Sequence, residues 1–209
     1  MVSPLVSTNK MSVEKNNAKL VIISGPSGVG KSTVVSRLIA ECELPLELSV
    51  SATTRPVRGD DTPGKNYIFL SHDEFQQRIK DGEFLEYAEV FRRGHWYGTL
   101  KEQVTTGLKA GNWIILEIDV EGALQVKKSY PDSVSLFIHP GSLKELEKRL
   151  RGRATDDDGA IARRLEVASH ELDASLAYDH IVTNITIDQT VSDICTLLIQ
   201  MAGPKVNNS

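Results

Sequence analysis

The glycine-rich segment GPSGVGKS, at residues 25–32, constrains the fold of this chain more than any other feature. It follows the apolar run Leu20–Ser24 and opens a helical pattern in Ser32–Ala40. A G-x-x-x-x-G-K-S pattern between a strand and a helix is typical of a loop whose backbone N–H groups surround nucleotide phosphates. A simple glycine-rich turn would explain the glycines but not the Lys-Ser pair at this offset.

This segment, named here the phosphate loop, also supplies side chains. Lys31 offers a point charge to the β- and γ-phosphates of a nucleoside triphosphate, and the Ser32 hydroxyl can coordinate a bridging Mg²⁺. The helix that follows adds the positive end of its dipole. We therefore expect the whole loop to bind the triphosphate through Gly25, Pro26, Ser27, Gly28, Val29, Gly30, Lys31 and Ser32.

Two further strand-helix units follow the first. The apolar runs Trp113–Ile118 and Val134–Ile138 precede helical patterns near 121–129 and 142–151. Apolar runs without polar alternation suit strands that are covered on both faces. The sequence therefore predicts an α/β fold of the P-loop NTPase type, a three-layer core around a parallel sheet.

Residues 48–98 break this pattern and are predicted to form an inserted subdomain, the insert. They contain three short β-rich pieces, Leu48–Thr53, Tyr67–Leu70 and Phe84–Val90, and one helix after Ser71. The core is then expected in residues 19–47, 99–148 and 167–203. Residues 1–18 and 204–209 are expected to be tails, because they hold too few apolar side chains to order themselves.

Three helix starts carry capping signatures. Ser71, Ser142 and Thr155 are each followed three residues later by an acid that can reach back to the cap, namely Glu74, Glu145 and Asp158.

Composition excludes several classes of protein. The formal net charge is −4 over 209 residues, which disfavours a protein that coats nucleic acid or an anionic membrane. No stretch approaches the ~20 apolar residues that span a bilayer, so a cytoplasmic protein is expected. Cys42 and Cys195 match no metal or redox spacing and are interpreted as reduced thiols, which excludes a disulfide scaffold.

Charged residues beyond the loop suggest further contacts. Glu117 and Asp119 lie at the end of the predicted strand Trp113–Ile118 and on the same face, where an acid could complete the metal shell or bind substrate. A solvated strand end would explain either acid alone. Asp119 is favoured for such a role, and Glu117 is a second candidate for the metal. Arg55 and Arg58 lie beside hydroxyl residues, where guanidinium groups suit a phosphate, although a solvated charged loop would explain either arginine alone.

Taken together, these blocks resemble the guanylate kinase family. The resemblance covers about Leu20 to Asn184 and consists of GPSGVGKS, SVSATTR with P-x-R, a later Tyr67, Glu86 within EFLEYAEV, Tyr97-Gly98-Thr99 and LEIDVEGA.

The resemblance implies roles for individual residues. Arg55 and Arg58, with Tyr67 and Tyr97, would hold the phosphate of GMP, while Glu86 would accept the two donors of guanine. Further base contacts would come from Ser51, Thr99 and Asp119, although Ser51 and Thr99 are also explained as ordinary strand and turn hydroxyls.

A second block, residues 149–166, resembles the lid of that family. Arg149, Arg153 and Arg164 would reach the transferring phosphoryl group. Asn184 would lie near the adenine of ATP, with a turn-forming asparagine as the alternative. The implied reaction is phosphorylation of GMP by ATP with Mg²⁺, in a monomer or homodimer without nucleic-acid or membrane partners. A non-catalytic scaffold module and a kinase for a phosphorylated sugar are the rival interpretations.

Overall fold

Strands and helices alternate along the chain. The computed structural model describes residues 17–59, 61–89, 94–152 and 157–203. In chain order its elements are β1 (Leu20–Ser24), α1 (Lys31–Glu41), β2 (Leu46–Leu48), β3 (Ala52–Thr53), β4 (Ile68–Phe69), α2 (His72–Lys80), β5 (Phe84–Glu89), β6 (Trp96–Leu100), α3 (Lys101–Lys109), β7 (Trp113–Glu117), α4 (Val120–Ser129), β8 (Val134–His139), α5 (Leu143–Arg151), α6 (Asp158–Asp173), a 3₁₀ turn (Ala174–Ala177), β9 (His180–Thr183) and α7 (Ile187–Ala202).

The core is a five-stranded parallel sheet in the order β2-β7-β1-β8-β9. β1 lies at its centre, so Ile22 is paired with Leu116 on one side and with Ser135 on the other. All five residues of β1 are buried, as expected for a strand covered on both faces. The predicted α/β fold with a parallel sheet is confirmed.

Alternate residues of β1 enter two separate cores. Val21 and Ile23 pack with residues of α1 and α7 on one face of the sheet. Leu20 and Ile22 pack with residues of α3 and α4 on the other face. Because side chains alternate along a strand, one short apolar run stabilises both helical layers.

A second, four-stranded sheet lies between β2 and α3 in the sequence, in the order β4-β3-β6-β5. Its own small core is built on Phe75 of α2, whose ring stacks on that of Phe84 at 4.4 Å, with Ala52 and Leu100 beside them.

The expectation of one β-rich piece over Leu48–Thr53 is wrong. Leu46–Leu48 pairs with β7 in the core sheet, whereas Ala52–Thr53 belongs to the second sheet. The backbone crosses between the two sheets at residues 49–51. There Ser49 N donates to Ile115 O and Val50 N donates to the side chain of Gln103.

Helix starts follow the capping predictions in two cases. Ser71 and Glu74 form a reciprocal capping box at α2, and the Ser142 hydroxyl accepts from Glu145 N at α5. Thr155 lies outside the described residues, and α6 begins later than expected, with Asp157 as its cap. Among the helices of the described ranges, none has the length and apolarity needed to cross a membrane.

The expectation of two reduced thiols is wrong, since Cys42 and Cys195 form a disulfide. Cys42 follows the last turn of α1, and Cys195 lies within α7. These helices pack side by side on one face of the sheet, which brings the two Cα atoms to 5.6 Å. A separation of 153 residues in the sequence carries no signal of this proximity.

Candidate active site

A cleft lies where β1 and β7 end and extends to the second sheet. Its floor is the phosphate loop, and its far wall consists of residues from β5 and β6. This is the edge of a parallel sheet at which ligands generally bind. The lining residues are Gly25, Ser27, Gly28, Gly30, Lys31, Ser32, Thr33, Ser51, Tyr67, Glu86, Ala88, Tyr97, Gly98, Glu117, Ile118, Asp119 and Glu171.

Close packing under the phosphate loop requires its glycines. Gly25 has φ of 144°, and a Cβ there would lie 2.4 Å from Ile138 O. Gly28 has φ of 92°, and its Cβ would lie 2.6 Å from Leu150 Cδ2. Side chains are strained at such φ values, so the sequence motif is needed for both the backbone path and the packing.

Lys31 is the first residue of α1 and folds back over the loop. Its Nζ donates to Gly25 O at 2.5 Å and to Pro26 O at 3.2 Å. Burial lowers the pKa of Lys31, while the acidic side chains of Glu117, Glu171 and Asp119 act in the opposite direction. The ammonium group is thus held at the loop by carbonyl oxygens before any phosphate arrives.

Ser32 and Glu117 meet across the cleft, with Ser32 Oγ donating to Glu117 Oε1 at 2.6 Å. Asp119 follows β7 and caps α4, accepting from Gly122 N at 2.8 Å. β7 ends at Glu117, so helix capping, rather than the strand alternation used in the prediction, orients Asp119.

The base of the loop is anchored by two side chains from distant parts of the chain. Asn184 Nδ2 donates to Val29 O at 2.7 Å, and Arg149 donates to the same oxygen at 3.2 Å. Arg149 also donates to Asn184 O at 2.5 Å, and Thr190 donates to Asn184 Oδ1. Neither Asn184 nor Arg149 lines the cleft; both hold its floor.

Arg55 lies beside the second sheet and is paired with an acid. Its guanidinium donates to Asp61 Oδ2 at 2.8 Å and to Asp61 Oδ1 at 3.1 Å. The guanidinium also lies over the ring of Tyr67, 5.2 Å from the centroid. Tyr67 in turn meets Tyr97 edge to face at 5.7 Å, so a cation and two phenols occupy one corner of the site.

Glu86 is the buried acid of the far wall and is 5% exposed. Thr99 Oγ1 donates to its Oε1 at 2.6 Å. Burial raises the pKa of Glu86 to about 7, with the nearby Asp119 adding to the rise and the Thr99 hydrogen bond opposing it. A buried carboxylate aimed into a cleft can accept a pair of hydrogen bonds from a ligand.

A sequence model of the guanylate kinase family matches residues 17–201. The chain belongs to the guanylate kinase family. The resemblance stated from the motifs is therefore confirmed, and so is the class of enzyme, a nucleoside monophosphate kinase.

Individual guanylate kinases match along most of their length. The guanylate kinase of Rhodopirellula baltica is 50% identical over 182 residues, covering 87% of each chain. That of Hydrogenovibrio crunogenus is 46% identical over 180 residues, covering 86% of each chain. The crystal structure of guanylate kinase from Anaplasma phagocytophilum has a TM-score of 0.72 and 31% identity, covering 90% of this chain and 88% of that one.

A more distant solved structure shares the fold alone. It is a gluconokinase from Sinorhizobium meliloti, with a TM-score of 0.50 and 15% identity over 88% of this chain and 93% of that one.

The site residues inferred from the guanylate kinase resemblance fall into two groups. Ser51, Tyr67, Glu86, Tyr97 and Asp119 line the cleft together with the loop. Thr99 and Arg55 contact lining residues from behind. Arg58 has an exposed side chain, and Arg164 lies half-buried on α6; neither lines the cleft. Arg153 lies outside the described residues.

Sequence reasoning missed two acids in this guanylate kinase site. Glu171 of α6 lines the cleft, and burial raises its pKa to about 7. It follows the buried Ala168 by three positions, so helical periodicity could have placed it on the inner face. Asp61 follows Arg55 by six positions and Arg58 by three, and an acid so close to two arginines in the sequence is itself a signal of an ion pair.

Proposed function

We propose that this chain transfers the γ-phosphoryl group of ATP to GMP, releasing ADP and GDP. The observation that carries this proposal is one cleft lined by both the phosphate loop and the buried Glu86. The loop suits a triphosphate, and the carboxylate suits a base with two adjacent donors. A single cleft that can bind a triphosphate at one end and a guanine base at the other supports phosphoryl transfer between two nucleotides.

At the donor end, the triphosphate would lie along the phosphate loop. The backbone N–H groups and the start of α1 favour negative charge there. Lys31 already lies over the loop, bonded to Gly25 O and Pro26 O, and a phosphate would offer it stronger, charged acceptors. Burial makes that exchange more favourable, because a partly desolvated ammonium gains more from an anionic partner.

A magnesium ion fits the donor end. The described residues contain no cluster of three or more acidic, histidine or cysteine side chains able to hold a metal alone, but Mg²⁺ commonly takes one or two protein ligands plus phosphate oxygens and water. Ser32 and Glu117, whose oxygens are 2.6 Å apart, would hold it. When bound, the ion neutralises charge on the β- and γ-phosphates.

At the acceptor end, Glu86 would select the base. Guanine presents its N1–H and its exocyclic amino group as parallel donors, which match the two oxygens of a carboxylate. Adenine presents an unprotonated N1, so acceptor would meet acceptor and AMP would be rejected. Thr99 fixes one oxygen of Glu86, and Asp119 and Ser51 line the same cleft.

The phosphate of GMP would lie in the corner formed by Arg55, Tyr67 and Tyr97. Burial raises the pKa of Tyr67, so its phenol stays a hydrogen-bond donor at neutral pH. Arg58 is exposed in this structure and would reach the phosphate after its side chain moves inward. These positions would aim one phosphate oxygen of GMP at the γ-phosphorus.

The acceptor needs no general base, since a phosphate monoester with a second pKa of about 6 is mostly a dianion at neutral pH. Catalysis would then consist of alignment and charge neutralisation. Arg149, Arg153 and Arg164 would supply positive charge as the lid closes. Arg149 is bonded to Val29 O and Asn184 O in this structure, so its catalytic role requires a change of partners, and closure would also exclude water from the reaction.

The test is coupled detection of ADP from ATP and Mg²⁺, with GMP, AMP, CMP, a phosphorylated sugar or no acceptor. Turnover with GMP alone is expected. Lys31→Ala should abolish turnover while leaving GMP binding by calorimetry nearly unchanged. If no ADP formed with any acceptor, the chain would instead be a non-catalytic binding module. Turnover with the phosphorylated sugar would indicate a different kinase with the same core fold.

A further inference from the structure

Gly122 lies in the first turn of α4 at a position where the backbone does not require glycine. Its conformation is helical, and its φ is outside the left-handed region. Glycine inside a helix costs about 1 kcal/mol relative to alanine. The reason for glycine here must therefore lie in the space around it.

That space is filled by Glu86. A Cβ added at Gly122 would lie 2.9 Å from Glu86 Oε2, 3.3 Å from Glu86 Cδ and 3.3 Å from Asp119 Oδ1. Contacts of 2.9 Å are shorter than van der Waals packing allows, so the carboxylate would have to move. Thr99 donates to its other oxygen at 2.6 Å, so the present orientation of the carboxylate depends on both neighbours.

We propose that Gly122 is a specificity-determining position for the nucleobase. Its missing side chain leaves the volume beside Glu86 Oε2 open, which permits the present orientation of a carboxylate that lines the cleft. This inference rests on the proposed role of Glu86 in binding guanine. The first turn of α4 would then shape the GMP-binding end of the cleft, in addition to being capped by Asp119.

A side chain at position 122 should displace the Glu86 carboxylate rather than destabilise the fold. Glu86 Oε2 is the end of a rotatable side chain, so a small rotation relieves the clash. Gly107 of α3 is different, because its Cβ would lie 2.3 Å from Ile114 Cδ1 inside the core. A substitution at Gly122 should therefore separate stability from base recognition, as a substitution at Gly107 would not.

Asp119 should be less affected than Glu86. The bond that orients it comes from the backbone N–H of Gly122 at 2.8 Å, and alanine retains that group. A Cβ at Gly122 would also lie farther from Asp119 Oδ1 than from Glu86 Oε2. The expected defect is thus confined to the group that distinguishes guanine from adenine.

The decisive variant is Gly122→Ala, compared with Glu121→Ala, an exposed neighbour on the same helical turn. For Gly122→Ala, kcat/KM with GMP should fall about 100-fold, the scale of a displacement near 1 Å at a reacting complex. Discrimination against AMP should fall with it, and the melting temperature should be retained or raised. Glu121→Ala should keep kcat/KM within about a factor of 2, as is usual for surface substitutions.

A double-mutant cycle with Glu86→Gln separates this inference from the function on which it rests. If Gly122 acts through Glu86, adding Gly122→Ala to Glu86→Gln costs little further GMP selectivity. Fully additive effects, or a Gly122→Ala enzyme with wild-type selectivity, would overturn the inference. Unchanged selectivity in Glu86→Gln alone would instead refute the role of Glu86.

A crystal structure of Gly122→Ala gives a readout that does not depend on activity. The inference requires the Glu86 carboxylate to be displaced, with its bond to Thr99 broken or lengthened. A carboxylate that keeps its position and its Thr99 bond would overturn it, as would a variant that fails to fold.

Discussion

Arg55 and Asp61 form a two-pronged ion pair at the edge of the cleft, with guanidinium nitrogens 2.8 Å and 3.1 Å from the two carboxylate oxygens. Their side chains are 7% and 10% exposed. Asp61 Oδ2 also accepts from Arg58 N at 2.7 Å. One carboxylate therefore fixes the guanidinium of the first arginine and the backbone of the second.

Asp61→Asn should weaken GMP binding more than it slows the chemical step. The amide keeps the shape, but it replaces one acceptor oxygen by an NH₂ group and leaves the other oxygen without its charge, so Arg55 loses its charged partner and its fixed orientation. We expect KM for GMP to rise about 10-fold, consistent with a charged hydrogen bond worth about 1.5–3 kcal/mol, with kcat nearly constant. Steady-state kinetics would check this.

Asp73→Asn, at an exposed acid of α2, is the matched control. An unchanged KM for GMP in Asp61→Asn would mean that the pair stabilises the fold without contributing to GMP binding.

Arg55 and the Arg58 backbone lower the pKa of Asp61. The pair should therefore persist at neutral pH and be lost only as the pH falls below the ordinary range of an aspartate.

Recognition of GMP should depend on pH through Glu86. Its pKa is raised to about 7, so the charged form that accepts from guanine becomes populated as the pH rises through that value. Below it, a protonated carboxyl would place an O–H against the guanine donors. We expect kcat/KM for GMP to fall about tenfold per pH unit on the acid side, as for any single required ionisation.

Guanine favours the charged carboxylate, so GMP binding should lower this pKa and release protons near neutral pH. Calorimetry in buffers of different ionisation enthalpy measures that release. The phosphate of GMP has a pKa of about 6 and can also release protons on binding. The difference in proton release between the wild type and Glu86→Gln therefore measures the contribution of Glu86. Identical proton release in the two proteins would exclude Glu86 as the source.

The central part of this fold could be predicted because its signals are local. The apolar runs of β1, β7 and β8 mark strands covered on both faces, and the phosphate loop fixes the order strand, loop, helix. Residues that line the cleft, such as Lys31 and Glu86, lie within motifs that could be recognised directly.

The remaining features depend on contacts between distant parts of the sequence. Asn184 and Arg149 bond to Val29 O across 155 and 120 residues, and no local pattern encodes such a meeting. The disulfide has the same origin, since Cys42 and Cys195 meet only because α1 and α7 pack on one face of the sheet.

Asn184→Ala should loosen the phosphate loop. The variant removes the donor to Val29 O at 2.7 Å and the acceptor of Thr190, and the side chain is 3% exposed. We expect a loss of about 1–3 kcal/mol in the free energy of unfolding and a higher KM for ATP. Asn112→Ala, whose amide bonds to Glu47 away from the cleft, controls for loss of an asparagine. Lower stability with an unchanged KM for ATP would separate Asn184 from nucleotide binding.

Removing the disulfide should lower stability without changing turnover. Cys42 and Cys195 close a loop of 153 residues, for which the chain-entropy relation gives about 5 kcal/mol. Neither residue lines the cleft, so kcat and KM should be the same in the wild type and in Cys42→Ala/Cys195→Ala. Urea unfolding with and without dithiothreitol measures the effect, and the reductant should leave the double variant unchanged. If dithiothreitol left the unfolding free energy of the wild type unchanged as well, the bridge between α1 and α7 would not contribute to stability in solution.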